Sequence, residues 1–271
     1  NDNLMDITRE YRLAIQAVIE ASLAIKEIYS RGYEAIQKAD GSPVTEADLK
    51  ASKIINEVLS ISGHPVIDEE TDKIPFEQRQ LWAKCWCVDP LDGTKEFIKR
   101  NGEFAVNIAL IENGKPVLGV IASPVNEDFI VGGPNLGVQY ATFQDFINGA
   151  KPAPIQRNSS PDFLSIIASN SHHTPLLLDY LKKLSDAGLK TELIRKGSSL
   201  KFFDLSMNQA QIYPRFAPTM EWDIAAGQAI LEGIGGGVFD INTKLPLSYN
   251  KESLLNPHFI AVSDVNLSVW I

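Results

Sequence analysis

The stretch Trp86-Cys87-Val88-Asp89-Pro90-Leu91-Asp92-Gly93-Thr94 sets the terms on which the rest of the chain is read. It ends an apolar, strand-like run and places two carboxylates around a proline and a leucine, with a glycine and a hydroxyl directly after them. Hard divalent cations take oxygen ligands, and magnesium sites that act on phosphates combine a few carboxylates with substrate oxygens. Asp89, Asp92 and the Leu91 carbonyl can offer such a cation several oxygens from one turn. Asp-x-x-Asp-Gly is also a common surface turn, so partners elsewhere must decide between the two readings.

The bulk numbers narrow the field. A chain of 271 residues exceeds what one core comfortably fills, so two packed subdomains are expected. Hydrophobic content of 44% and charged content of 22% are ordinary for a globular protein. A net charge of −9 argues against a nucleic-acid partner, which would call for excess Lys and Arg. An acidic protein that handles anions must recruit them through bound metal or backbone dipoles. Cys85 and Cys87 lie too close along a strand to bridge easily, and no further Cys or His stands nearby to complete a zinc site. They read as small apolar residues of a reduced interior. No run reaches the roughly 18 apolar residues of a membrane span, and no charged-then-apolar segment opens the sequence. The expectation is a cytoplasmic protein.

Along residues 4–31, Ile7, Tyr11, Ala14, Ile15, Val18, Ile25 and Ile28 recur at helical spacing, with Gly32 as a C-cap. A polar Gly/Pro segment follows, and Thr45 opens a second helix with Leu49, Ile54, Ile55, Val58 and Leu59 on its apolar face. Thr45-x-x-Asp48 has capping-box spacing. Strand-like runs come next, at 81–88, 104–111, 117–122, 129–131 and 138–142, with Asn113-Gly114 as a hairpin signal. They predict a largely antiparallel meander covered by two helices on one face. The Pro-rich segment from Gly149 to Asp162 reads as a linker. Beyond it, strands and helices alternate in a smaller α/β half. The expected division is an N-terminal α+β subdomain at 1–160 and a C-terminal α/β subdomain at 161–271. Gly233-Ile234-Gly235-Gly236-Gly237 lacks dinucleotide spacing and reads as a helix-to-strand turn.

Three further acidic features sit where elements begin or end. Glu69-Glu70 follow Pro65-Val66-Ile67, Asp223 opens the helix at 222–232, and Asp48 lies in the first turn of its helix. A solvated pair and favourable helix-dipole placement would explain each alone. Taken together, their order and wording resemble the inositol monophosphatase superfamily of lithium-sensitive, magnesium-dependent phosphomonoesterases. Asp89-Pro90-Leu91-Asp92-Gly93-Thr94 matches its first signature and Trp222-Asp223-Ile224-Ala225-Ala226-Gly227 its second. Glu69-Glu70 stand the usual distance before the first. The resemblance covers essentially the whole chain and is strongest to the bacterial bisphosphate nucleotidases of the superfamily. The stretches that carry this are Lys38–Asp48, Gly197–Phe202, Tyr213–Thr219 and Leu255-Asn256-Pro257.

The resemblance implies a layered αβαβα sandwich of the inositol monophosphatase/fructose-1,6-bisphosphatase type, built as two α+β and α/β subdomains. It implies two Mg²⁺ ions. Glu69, Asp89 and the Leu91 carbonyl would hold the first, and Asp89, Asp92 and Asp223 the second. A third, weaker ion near Glu69 and Asp40 is an option. Asp48 and Thr94 would orient and deprotonate the attacking water, although Thr45-x-x-Asp48 also serves as a plain cap. Gly93, Thr94 and Lys95 would grip the phosphate, with Gly93 letting the backbone come close. Ser169, His172, Gly197 and Lys201 would contact the nucleotide, with Arg215 as a second phosphate partner. For His172 a helix-start role competes, and for Arg215 a solvated place in a rigid loop. Asn170 departs from the family, which carries an arginine there. The implied reaction removes the 3'-phosphate of adenosine 3',5'-bisphosphate, a by-product of sulfate activation. The rivals are an inositol or sugar monophosphatase and a non-catalytic nucleotide sensor. Homodimers and peripheral attachment to the inner membrane are also compatible with the resemblance.

Overall fold

The computed structural model describes residues 2–32, 35–38, 43–159, 162–170 and 174–271. Helix α1 (Asp2–Arg31) turns Ala14, Val18, Ala21, Ile25 and Ile28 inward and stops at Gly32, whose φ of 92° a side chain would resist. A small hairpin, β1 (Ala35–Gln37) and β2 (Pro43–Thr45), leads into α2 (Glu46–Ser60). These two helices pack on one face of a seven-stranded sheet ordered β3-β4-β5-β6-β7-β8-β9. Its strands are β3 (Val66–Asp68), β4 (Lys84–Asp92), β5 (Ala105–Glu112), β6 (Lys115–Ser123), β7 (Asp128–Gly133), β8 (Gly137–Thr142) and β9 (Ala153–Pro154). All neighbours are antiparallel except β3 and β4. Short helices α3 (Phe76–Arg79), α4 (Thr94–Lys99) and α5 (Phe143–Ile147) fill the connections.

A second sheet has the order β11-β10-β12-β14-β13. It comprises β10 (Leu164–Ala168), β11 (Thr191–Arg195), β12 (Ile212–Arg215), β13 (Gly237–Asp240) and β14 (Phe259–Val262), the first three parallel. Helices α7 (Lys201–Ser206) and α8 (Glu221–Gly233) lie between the two sheets, while α6 (Pro175–Asp186) covers the outer face of the second. The layers therefore run helix, sheet, helix, sheet, helix: an αβαβα sandwich. No helix of the described residues is long and apolar enough to cross a membrane.

Three expectations change in detail. Two helices do cover one face of the large sheet, but α8, from the far end of the chain, covers the other. The central strands are apolar on both faces, so neither can be left in water. The approach is close: a Cβ on Gly119 of β6 would stand 2.2 Å from the Ala226 carbonyl of α8. Next, β4 does not end at Val88 but runs to Asp92, so the opening motif is itself strand. Finally, the expected linker contributes β9 to the edge of the first sheet. The glycine cluster at 233–237 is, as read, the turn from α8 into β13.

Candidate active site

Strand periodicity aims the first carboxylate. In β4, Trp86 and Val88 enter the core beneath α1 and α2, while Cys85 and Cys87, both free thiols, face α8. Asp89 continues the cysteine face and is 1% exposed. The pairing with β5 then slips: Asp89 lies opposite Asn107 and Asp92 opposite Ala105. The irregularity falls on Pro90, which has no N–H for the ladder, and on Leu91, whose N–H turns back to Asp89 Oδ1 at 3.1 Å. Parallel pairing of β3 sets Asp68 beside Val88, and the Glu69 N–H donates to the Val88 carbonyl at 3.2 Å. Glu69 thereby arrives next to Asp89. Asp68 is structural, accepting from Ser52 Oγ at 2.7 Å and Asn56 Nδ2 at 2.6 Å.

Two helices deliver one aspartate each by the same device. Asp48 and Asp223 are both the third residue of their helix, and each spends one oxygen on the N-cap N–H: Thr45 at 2.8 Å and Met220 at 2.7 Å. Capping and chemistry are compatible because a carboxylate has a second oxygen. Asp48 Oδ1 accepts from the Thr94 hydroxyl at 2.8 Å, and that hydroxyl also lies 3.5 Å from the Leu91 carbonyl. The Leu255-Asn256-Pro257 stretch steadies the start of α8: Asn256 Nδ2 donates to the Met220 carbonyl at 2.7 Å.

Glu69, Asp89 and Asp223 bring carboxylate oxygens within 4.8 Å of one another. Burial raises all three above the ordinary carboxylate range; repulsion from neighbouring carboxylates adds to it at Asp89 and Asp223, whereas Lys38 opposes it at Glu69, and Asp223 is pushed up to about 8. A group of buried and half-buried carboxylates that resist ionisation together fits a divalent cation, and an all-oxygen donor set fits magnesium. The Lys38 ammonium already answers part of this charge, at 3.1 Å from Glu69 and 2.6 Å from Glu70. Burial would lower its pKa, but the two glutamates outweigh that and raise it.

Asp92 stands apart from the trio and is gripped from the second half of the chain. Ser199 N–H donates to its Oδ2 at 2.5 Å and Asn107 Nδ2 approaches the same oxygen at 3.4 Å. Ser199 Oγ closes the network on Asn107 Oδ1 at 2.6 Å. Asp92 and Asp223 form the acidic wall of a cavity of about 160 Å³, also lined by Gly93, Lys95, Ser169, Lys201 and Arg215. Gly93 adopts φ 99°, and a Cβ there would stand 3.0 Å from the Glu103 carbonyl. Lys201 is 4% exposed, and burial pulls its pKa down to about 8. Arg215 donates from Nη2 to the Pro218 carbonyl at 3.3 Å, whereas its buried Nε has no partner.

The structure thus gathers Asp92, Asp223, Gly93, Lys95, Ser169, Lys201 and Arg215 around one cavity, with Glu69, Asp89, Asp48 and Thr94 joined to its acidic end. Gly197 lies just outside, its N–H spent on Glu103 Oε2 at 2.7 Å. His172 and Asp40 fall outside the described residues. Sequence reasoning missed Lys38, Asn107, Ser199 and Glu103. Lys38 and Ser199 lie in matching stretches without a role read from them, and Asn107 left a signal of its own, as a polar residue inside the apolar run Ala105–Ile111 that is nevertheless fully buried.

Known proteins resemble this chain in sequence and in fold. The model of the Inositol monophosphatase family matches residues 6–266. A 3'(2'),5'-bisphosphate nucleotidase CysQ of Escherichia coli (strain K12) is 42% identical over 253 residues, covering 90% of this chain and 96% of that protein. Its counterpart in Salmonella typhimurium is 44% identical with the same coverage. The crystal structure of CysQ from Bacteroides thetaiotaomicron, a bacterial member of the inositol monophosphatase family, matches with a TM-score of 0.83 and 41% identity over 93% of this chain and 96% of that one. An inositol monophosphatase from Anabaena shares the fold, with a TM-score of 0.72 at 23% identity. By its sequence, its layered fold and its signature residues, this chain belongs to the inositol monophosphatase family.

Proposed function

We propose that this chain is a magnesium-dependent 3'(2'),5'-bisphosphate nucleotidase that converts adenosine 3',5'-bisphosphate to AMP and phosphate. The observation that carries the reading is the two-signed cavity. A carboxylate wall suits the metal-assisted cleavage of one phosphate, and Lys201 with the unpartnered Arg215 Nε suits the phosphate that stays. A sugar or inositol monophosphate has no second phosphate for that wall to hold, which disfavours the monophosphatase alternative. A sensor would have no use for the water-activating pair Thr94 and Asp48, which is intact.

Glu69, Asp89 and the Leu91 carbonyl would hold one magnesium and Asp89, Asp92 and Asp223 another, with a third, weaker ion toward Glu69 and Asp40. Bound magnesium supplies an activated water and neutralises charge on the leaving oxygen. The chain's own groups do the rest. Asp48 Oδ1 takes the Thr94 hydroxyl proton in a hydrogen bond, which leaves a Thr94 lone pair to accept a proton from the attacking water. The first amides of α4, unpaired within the helix, and the exposed Lys95 face the phosphate that is attacked. Water adds to phosphorus and gives up its proton toward Thr94 and Asp48, the bond to the 3' oxygen breaks, and that oxygen takes a proton from solvent to leave as a hydroxyl. Ser169, His172 and Lys201 would hold the nucleotide, with Gly197, outside the cavity, carrying the turn behind Lys201. The same reading expects inhibition by lithium and a cytoplasmic role clearing the by-product of sulfate activation.

Phosphate release with magnesium, measured across bisphosphate nucleotides, inositol phosphate and fructose bisphosphate, is the test. The expected result is preference for the 3',5'-bisphosphate, and Lys201→Ala should cut its turnover about tenfold or more relative to inositol phosphate. Equal turnover of all substrates, or equal loss on all in the variant, would reject the assignment.

A further inference from the structure

Glu103 lies in neither signature, yet Gly93 of the cavity and Gly197 just outside it both pack against it. The chain leaves α4 through two residues of positive φ, Arg100 at 58° and Gly102 at 78°. The Glu103 N–H then donates to Asn101 Oδ1 at 2.9 Å. Its backbone carbonyl comes so near Gly93 that a Cβ there would be 3.0 Å away. Its side chain does the same at Gly197, where a Cβ would stand 3.0 Å from Oε2. One residue is thus packed against the glycine of the phosphate grip and the glycine of the downstream loop.

The carboxylate also binds two separate segments. Oε2 accepts from the Gly197 N–H at 2.7 Å and from Asn170 Nδ2 at 2.6 Å. Gly197 begins the turn that carries Lys201, whose ammonium is held by the Lys196 and Ser198 carbonyls of that same turn. Ser198 sits at φ 49°, a conformation a non-glycine residue keeps only where its surroundings hold it. Asn170 follows Ser169 at the end of β10. Where the family's arginine would place a charged donor, the asparagine amide here is spent on Glu103. Bonds to an ionised acceptor are the stronger kind, and a shared acceptor fixes its donors relative to one another.

We infer that Glu103 is a positioning residue for substrate selection. It keeps the Lys201 turn and the Ser169 strand end in register with Gly93-Thr94, without touching the reacting atoms. This rests on the nucleotidase reading. Without the shared acceptor the Lys201 turn and the Ser169 strand end are no longer held in one arrangement, and binding must then order them. Steady-state kinetics on adenosine 3',5'-bisphosphate, with calorimetric binding of AMP in magnesium, test it. Glu103→Ala should raise KM about tenfold while kcat stays within about threefold, and should weaken AMP binding in proportion. Glu103→Gln keeps an acceptor oxygen and should recover most of the loss. Asn170→Ala, on the surface, should raise KM about threefold and serves if the Glu103 variants do not fold. Unchanged KM and AMP affinity in Glu103→Ala or Asn170→Ala, or a fall in kcat alone, would overturn the role. A wild-type protein that binds magnesium but releases no phosphate from the bisphosphate would overturn the nucleotidase reading and this role with it.

Discussion

The two walls of the cavity are both charged, yet they settle their charge in opposite ways. On the basic side, the Lys201 ammonium has two carbonyls, at 3.3 and 2.5 Å, and lies 5.1 Å over the Tyr213 ring. On the acidic side, Asp89 and Asp223 are pressed toward Glu69 and Asp92, and main-chain N–H groups answer only part of the charge. The Lys201 ammonium is answered within the protein, while the buried Arg215 Nε is not. The acidic wall keeps excess negative charge that a bound cation would answer, so stability and the proposed function would pull against each other there.

Substituting the acidic wall should separate those two quantities most sharply. Asp223→Asn keeps an oxygen for the Met220 N–H and removes one charge from the group. Magnesium-dependent phosphate release should fall at least about a hundredfold, while in chelator the variant should melt above the parent at pH 8. A variant that keeps its activity, or melts below the parent under those conditions, would break the contrast between the walls.

The pH dependence of the metal-free protein has a defined sign. Between the ordinary aspartate value of 3.8 and about 8, the unfolded chain ionises Asp223 while the fold keeps it protonated. The folded state then binds more protons, so stability in chelator should fall as pH rises through that window. Magnesium should remove the slope, since it replaces the retained protons with a cation. Thermal midpoints from pH 5 to 8, with and without magnesium, check this; a flat profile in chelator would count against the raised carboxyl.

The smallest effect belongs to Thr45, which touches the site only through Asp48. Thr45→Ala removes a hydroxyl that donates to Asp48 Oδ2 and accepts from the Ala47 N–H, and should cost about 1 kcal/mol in a denaturant titration. Activity should drop only severalfold, because the Thr45 N–H still holds Asp48 Oδ2. Loss comparable to Asp223→Asn would mean that the cap, and not the metal wall, limits the reaction.

Much of this site was legible in the residues. Asp89–Thr94, Glu69 and Asp223 carry signature wording, and Asp48 announced itself by capping-box spacing. Glu103 and Ser199 did not, because their roles depend on segments far along the chain that no local pattern links. Lys38 was visible as part of a matching stretch but not as the counter-charge of Glu69.

The sequence by itself determined the local elements: the helical stripe of α1 ending at Gly32, the Asn113-Gly114 hairpin, and the cap of α2. Each rests on neighbours within a few residues, through side-chain periodicity, positive φ or a short hydrogen bond. Only the tertiary structure decided that Asp223 meets Asp89 and that Ser199 holds Asp92. Those meetings follow from burying both faces of the large sheet, which draws α8 and the Lys201 turn from the end of the chain onto β4.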